Sequence, residues 1–206
     1  MKVGIVCEGR LAGEDAQVLE HFARRIVPLA TVREFPQGTK PQLFTNAGDV
    51  AKSLFDTGYD RVVIVWDILP RWDRPDGEAQ DLLDLKPSLV EASVYTHTCL
   101  YMVAIHKELE AWLLADGAAL SAVLSRSAHP VIIKDSKSAE TDANPKKKLE
   151  KLFERHNVPF GPQPSQGGYQ PKLAALRIAE KVPANFGQLG KQKSFKHFGR
   201  ALTAAC

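Results

Sequence analysis

Two short apolar runs, each closed by an acidic residue, stand out in the pattern of hydrophobic and polar positions. Lys2-Val3-Gly4-Ile5-Val6-Cys7 leads into Glu8-Gly9, and Arg61-Val62-Val63-Ile64-Val65-Trp66 leads into Asp67. Runs of this length bounded by polar residues predict parallel-sheet strands buried on both faces. Between them, Val18, Leu19, Phe22, Ile26 and Leu29 recur at helical spacing behind Glu14 and Asp15, which predicts an amphipathic helix with an acidic first turn. Thr31 to Phe35 reads as a second strand ended by Pro36-Gln37-Gly38, and a helix near 47–55 is stopped by Thr57-Gly58. The segment 67–77 is a loop by its Pro and Gly content.

Further along, the pattern predicts a helix around 78–92, broken before Pro87, and a strand from Leu100 to Ile105. A long helix over 106–124 follows, with Leu109, Trp112, Leu113, Leu120 and Val123 or Leu124 on its apolar side. Val131-Ile132-Ile133 reads as one more short strand, and helices near 145–156, 171–182 and 194–204 complete the chain. Strands alternating with helices imply an α/β fold with a mostly parallel sheet. From about residue 134 the composition shifts to Lys, Ser, Asn and Pro, which divides the chain into an α/β domain over 1–133 and a basic helical portion over 134–206 packed on it.

Charge sharpens that division. Residues 1–133 carry a net −5 and residues 134–206 a net +8 within an overall +3. An acidic part joined to a basic one suits a metal-dependent enzyme acting on a polyanion, and it equally suits a basic surface that is merely solvated. No apolar stretch approaches the ~18 residues a membrane span needs. The strand pattern begins at once, leaving no room for a signal peptide. Cys7, Cys99 and Cys206 are odd in number and widely spaced, so reduced thiols in a cytoplasmic protein are expected.

In open α/β sheets ligands bind at the carboxyl ends of the strands. Two carboxylates placed there repel each other unless a cation lies between them, which makes Glu8 and Asp67 candidate ligands of a divalent metal. The alternatives are plain: Glu8 favours the dipole of the helix that follows, and Asp67 is a polar loop residue. Glu110 lies about 100° round its helix from Leu109 and borders the apolar stripe. A carboxylate there must be paired, hydrogen-bonded or metal-bound once buried. Asp116 falls on the Leu109–Leu113 face one turn on and is expected to cap a neighbouring element.

A Glu-Gly turn after the first strand, with Asp residues after a later hydrophobic strand, resembles the layout of the Toprim domain. Glu110-Ala111-Trp112-Leu113-Leu114-Ala115-Asp116 resembles the signature of an uncharacterised bacterial Toprim-like family, whose members often sit beside ATPases in mobile or defence-associated gene clusters. Asn144-Pro145-Lys146-Lys147-Lys148-Leu149, Tyr169-x-x-Lys172 and Ser194-Phe195-x-x-Phe198 are similar to that family's later motifs. The resemblance implies a Toprim-like fold related to the overcoming-lysogenisation-defect (OLD) nucleases, in which carboxylates bind Mg²⁺ for phosphodiester chemistry.

Carried over, it implies Glu8 as a metal ligand or general base and Asp67 as the first aspartate of an Asp-x-Asp pair. Leu69 stands where the second aspartate belongs, and Asp73 or Asp76 in the same loop would substitute. Glu8, Asp67 and Asp73 are thus the implied ligands of Mg²⁺ or Mn²⁺, with Glu110 a base or further ligand. Lys146, Lys147, Lys148, Lys172, Lys196 and Arg200 are the candidate contacts to a nucleic-acid backbone. The implied activity is a metal-dependent nuclease in bacterial anti-phage defence or a mobile element. The alternative is a non-catalytic module that binds a partner ATPase or senses a phage component, and a homo-oligomer fits either. Phe195 and Phe198, at helical spacing, are expected in the core rather than stacked on bases.

Overall fold

The computed structural model describes every residue except 12, 70–76, 128 and 157–170, and only the backbone of 171–173. The chain forms two compact units, one comprising 1–105 with 197–206 and the other 106–196. The compositional boundary at 133/134 therefore falls inside the second unit.

The first unit is a four-stranded, all-parallel sheet flanked by helices. Its elements are β1 (Lys2–Cys7), α1 (Glu14–Ile26), β2 (Thr31–Pro36), α2 (Lys40–Asp56), β3 (Arg61–Asp67), α3 (Gly77–Glu91) and β4 (Leu100–Ile105). The strand order is β2-β1-β3-β4, with Val3 opposite both Val32 and Arg61, and Asp67 opposite Ile105. The chain steps from β1 to β2 on one side, then crosses back to place β3 on the other. Val6, Val62, Ile64 and Trp66 face a core built with Leu43, Ala47, Leu54, Leu85 and Leu89 of α2 and α3. Ile5, Val63 and Val65 are buried too, as period-2 alternation on a doubly covered sheet requires.

α2 begins seven residues earlier than the apolar pattern indicates. Thr39 and Gln42 form a capping box, and Pro41 is pre-organised in the first turn. α3 runs unbroken through Pro87. Pro87 and Leu83, whose carbonyl loses its partner, both lie on the exposed face, so water meets the released oxygen.

The second unit holds α4 (Leu109–Ala115), α5 (Gly117–Leu124), α6 (Pro145–His156), α7 (Pro171–Lys181) and the start of α8 (Lys193–Thr203). The predicted long helix over 106–124 is interrupted at Asp116, whose extended backbone (φ −99°, ψ 100°) separates α4 from α5. Asp116 accepts a 2.9 Å hydrogen bond from the Ala119 amide, capping α5 as expected of it. Residues 131–133 do not join a sheet. Their amides are taken by serine hydroxyls of α5 and the residue after it: Val131 N–H donates to Ser125 Oγ (2.8 Å) and Ile133 N–H to Ser121 Oγ (2.8 Å). Phe195 and Phe198 are buried, as helical spacing predicts.

The expectation of three reduced thiols needs correction. Cys99 and Cys206 form a disulfide across 107 residues, with Cα atoms 4.9 Å apart, while Cys7 remains a buried thiol. Spacing alone does not reveal a pairing that depends on the chain's return to the first unit at 197–206. Among the described residues, no helix is long and apolar enough to cross a membrane.

The α2–α3 packing yields a prediction opposed to helix propensity. A glycine inside a helix ordinarily costs about 1 kcal/mol relative to alanine. At Gly48 a Cβ would land on the Ser88 carbonyl of α3. Gly48→Ala is therefore expected to lower stability by about 1–3 kcal/mol in urea unfolding, whereas a gain would show that the helices part freely.

Candidate functional site at the carboxyl edge of the sheet

β1 and β3 are neighbours whose outgoing connections diverge, since β1 leads to β2 on one side of the sheet and β3 leads to β4 on the other. Such a switch point leaves a crevice outside the carboxyl ends of the strands. Glu8 follows β1 and Asp67 ends β3 at this place. A Glu8 carboxylate oxygen accepts the Asp67 backbone N–H at 3.0 Å, joining the two strand ends. Gly9, at φ +112°, turns the chain away from β1, and its backbone exchanges two 2.7 Å hydrogen bonds with Gly38 beyond β2.

Burial raises the Glu8 pKa from its ordinary 4.5 to about 7. The Asp67 amide and the Lys40 ammonium oppose that rise, while Asp15 of α1 and Asp81 of α3 add to it. A glutamate that exchanges its proton near neutrality at a switch point has the acidity a general base needs. The neighbouring Cys7 thiol behaves otherwise: burial, then the carboxylates of Asp15, Glu34, Glu8 and Asp67, push it far above the physiological range and leave it unreactive.

The resemblance and the strand pattern leave out a buried polar network beside Glu8. Lys40, the first residue of α2, donates to the Ile68 carbonyl (3.0 Å) and to Asp81 Oδ2 (3.2 Å). The same Asp81 oxygen accepts the Trp66 indole N–H at 3.0 Å. Burial pushes the Asp81 carboxyl up, and the Lys40 ammonium and the indole pull it back. Lys40 thus pins the backbone just after Asp67 while its charge favours the ionised form of Glu8. Lys40 and Asp81 also line a cleft of about 460 Å³ between α2 and α3, together with Phe44, Asp84 and Glu91. Sequence signals for both existed: Thr39-Lys40-Pro41-Gln42 is a helix start, and Asp81 shares its face with Leu85 and Leu89 at spacings of four and eight.

Asp73 and Asp76 lie outside the described residues. Glu110 belongs to the second unit, buried on α4. Among the described residues, no three His, Cys, Asp or Glu side chains gather as a metal cage. Two carboxylates nonetheless suit Mg²⁺, which is commonly held by one or two and keeps several waters.

The signature-like residues of the second unit have structural partners. The Trp112 indole donates to Ser194 Oγ at 2.7 Å, and its ring meets Phe195 edge-on with centroids 5.0 Å apart. The middle motif and the closing motif are therefore packed on each other. Glu140 accepts from the Lys193 and Ser194 amides (2.8 Å each) and from the Ser194 hydroxyl, capping α8. Glu108 accepts the Lys146 amide (2.8 Å) and Asn144 the Lys147 amide (2.9 Å), capping α6.

Those caps place acceptors beside the lysines at the start of α6, where the helix dipole disfavours cations. Lys146, Lys147 and Lys148 are exposed, and Lys148 pairs with Asp142 at 2.7 Å. Lys193, Lys196 and Arg200 are exposed at spacings of three and four along α8. The Lys172 side chain lies outside what is described.

Comparison of the chain with protein-family models, curated proteins and solved structures finds no match in any of the three.

The Glu8 acidity has a measurable consequence. Because its folded pKa lies above its unfolded value, the proton on Glu8 stabilises the fold below pH 4.5, and that stability is lost as pH rises to about 7. The difference corresponds to about 2–3 kcal/mol after allowance for partial solvent contact. Glu8→Gln keeps an acceptor for the Asp67 amide and removes the titration. The variant is expected to be more stable than wild type at pH 8 and to show a flatter pH profile between 4.5 and 7 in urea titrations. An unchanged profile would mean that another group governs this range.

Proposed function

We propose that the chain is a divalent-cation-dependent phosphodiester hydrolase acting on nucleic acid, with Glu8 and Asp67 as the ligands of Mg²⁺ or Mn²⁺. The observation that carries this reading is the pair of carboxylates on adjacent strand ends at the switch point. Glu8 titrates near neutrality in the added field of Asp15 and Asp81, an environment that a cation would relieve. When bound, the metal supplies charge stabilisation at the phosphate and a more acidic water.

The chain's own residues supply the rest. Without the cation Glu8 would hold or release a proton near pH 7, and a bound cation would keep it ionised as a ligand, so proton and metal compete for this carboxylate. Lys40 fixes the backbone at Ile68 and keeps Glu8 ionisable. The exposed ammonium groups of Lys146 and Lys147, with Lys196 and Arg200 on α8, offer phosphate contacts, so affinity for the polymer should fall steeply with salt. The Toprim-like resemblance puts this activity in a bacterial defence or mobile-element setting, beside a partner ATPase.

One observation favours a second reading, a Toprim-like binding module without catalysis. Leu69 occupies the position of the second aspartate, and one oxygen of Glu8 is committed to the Asp67 amide.

Supercoiled plasmid, single-stranded DNA and RNA incubated with Mg²⁺ or Mn²⁺ separate the two readings. Metal-dependent cleavage by wild type, reduced at least 100-fold in Glu8→Ala and in Asp67→Asn, is the expected result. Cleavage that survives both substitutions would displace the site. A protein that neither cleaves nor shows Mn²⁺-induced NMR broadening around Glu8 is the outcome the binding module predicts. Replacing Lys146, Lys147 and Lys148 together by Glu should weaken polymer binding without moving the pH profile of Glu8.

A further inference from the structure

We propose that Cys99 and Cys206 form a reversible thiol–disulfide modification site, a redox latch that fastens the returning end of the chain to the first unit. The bonded pair brackets residues 100–205, and the second unit, 106–196, lies wholly inside that loop. The chain leaves the first unit after β4 and returns at His197, so the bond closes the loop between two points of the same unit.

Four hydrogen bonds beside the disulfide hold the returning segment. The buried Arg61 guanidinium donates to the Ala201 and Ala204 carbonyls and reaches Cys206 Sγ at 3.5 Å. The Tyr101 hydroxyl donates to the Ala205 carbonyl at 3.1 Å, and Arg61 lies 4.8 Å from the Tyr101 ring centroid. None of these contacts needs the disulfide, so opening it leaves the two sulfurs near one another.

Exposure makes the bond exchangeable. Cys206 is exposed, whereas Cys99 is 8% exposed and Cys7 1% exposed. An external thiolate therefore meets Cys206 first, and the adjacent guanidinium stabilises a thiolate leaving or attacking there. Closure uses a low-molecular-weight disulfide such as oxidised glutathione. The Cys206 thiolate attacks one of its sulfurs and releases one glutathione thiolate. The Cys99 thiolate then attacks Cys206 Sγ, releasing the second glutathione and forming the protein disulfide. The protein is oxidised by two electrons, and one glutathione disulfide becomes two thiols.

The site lies at the opposite edge of the sheet from Glu8, since Arg61 opens β3 and Cys99 immediately precedes β4. Opening the latch removes closure of a long loop, which in the chain-entropy account lowers the unfolding midpoint by roughly 10 °C.

The test cycles the full chain through dithiothreitol and then oxidised glutathione, reading maleimide labelling by intact and peptide mass spectrometry and the midpoint by calorimetry. Cys99 and Cys206 should become labelled after reduction and protected after reoxidation, with the midpoint falling and recovering and Cys7 unlabelled throughout. Cys206→Ser, at an exposed position, should fold and abolish both the protection of Cys99 and the reductant-dependent shift. Cys7→Ser should retain both. A mixed glutathione adduct on Cys206 with Cys99 still labelled would overturn the latch. So would a midpoint equally sensitive to reductant in Cys206→Ser.

Discussion

A carboxylate withdrawn from water between two diverging strand connections is the constraint around which the first unit's polar chemistry is arranged. Glu8 cannot be solvated freely, because β1 and β3 lie side by side and the Asp67 amide occupies one of its oxygens. Ionisation there is costly, and the surrounding acids of α1 and α3 make it costlier still. Lys40 partly offsets the cost, but its ammonium is itself engaged with the Ile68 carbonyl and Asp81. The result is a side chain whose charge state responds to small changes at the sheet edge. A binding event that brought positive charge would shift it readily.

The network beside Glu8 couples several elements through few atoms. One oxygen of Asp81 accepts from both Lys40 on α2 and Trp66 on β3, while Asp81 itself sits on α3. Removing one member would leave a buried donor or acceptor unmatched, a loss of about 1–3 kcal/mol. The network also contacts the α2–α3 cleft, so a ligand there would meet groups that influence Glu8 directly.

The second unit follows a different logic. Several of its polar side chains stand where helices begin: Asp116 at α5, Glu108 with Asn144 at α6, and Glu140 at α8. Each carboxylate satisfies amides that the helix leaves without acceptors, which is where a negative charge gains from the dipole. Trp112 joins this arrangement through Ser194, tying a cap to an apolar cluster. Trp112 and Asp116 of the signature-like stretch thus act here as packing and capping groups.

The sequence by itself determined the four strands, most helices and the acidic ends of β1 and β3, because local periodicity and strand length depend only on neighbouring residues. Helix starts at Lys40 and Gly117 were legible only in part, since capping hydrogen bonds decide them and apolar stripes do not. Tertiary structure alone decided the rest. The order β2-β1-β3-β4 made Glu8 and Asp67 neighbours, the α2–α3 contact buried Lys40 against Asp81, and serine hydroxyls took the 131–133 backbone away from a strand. The return of 197–206 brought Cys206 to Cys99. Each of these is a long-range proximity, and spacing along a chain carries no information about which distant segments will meet.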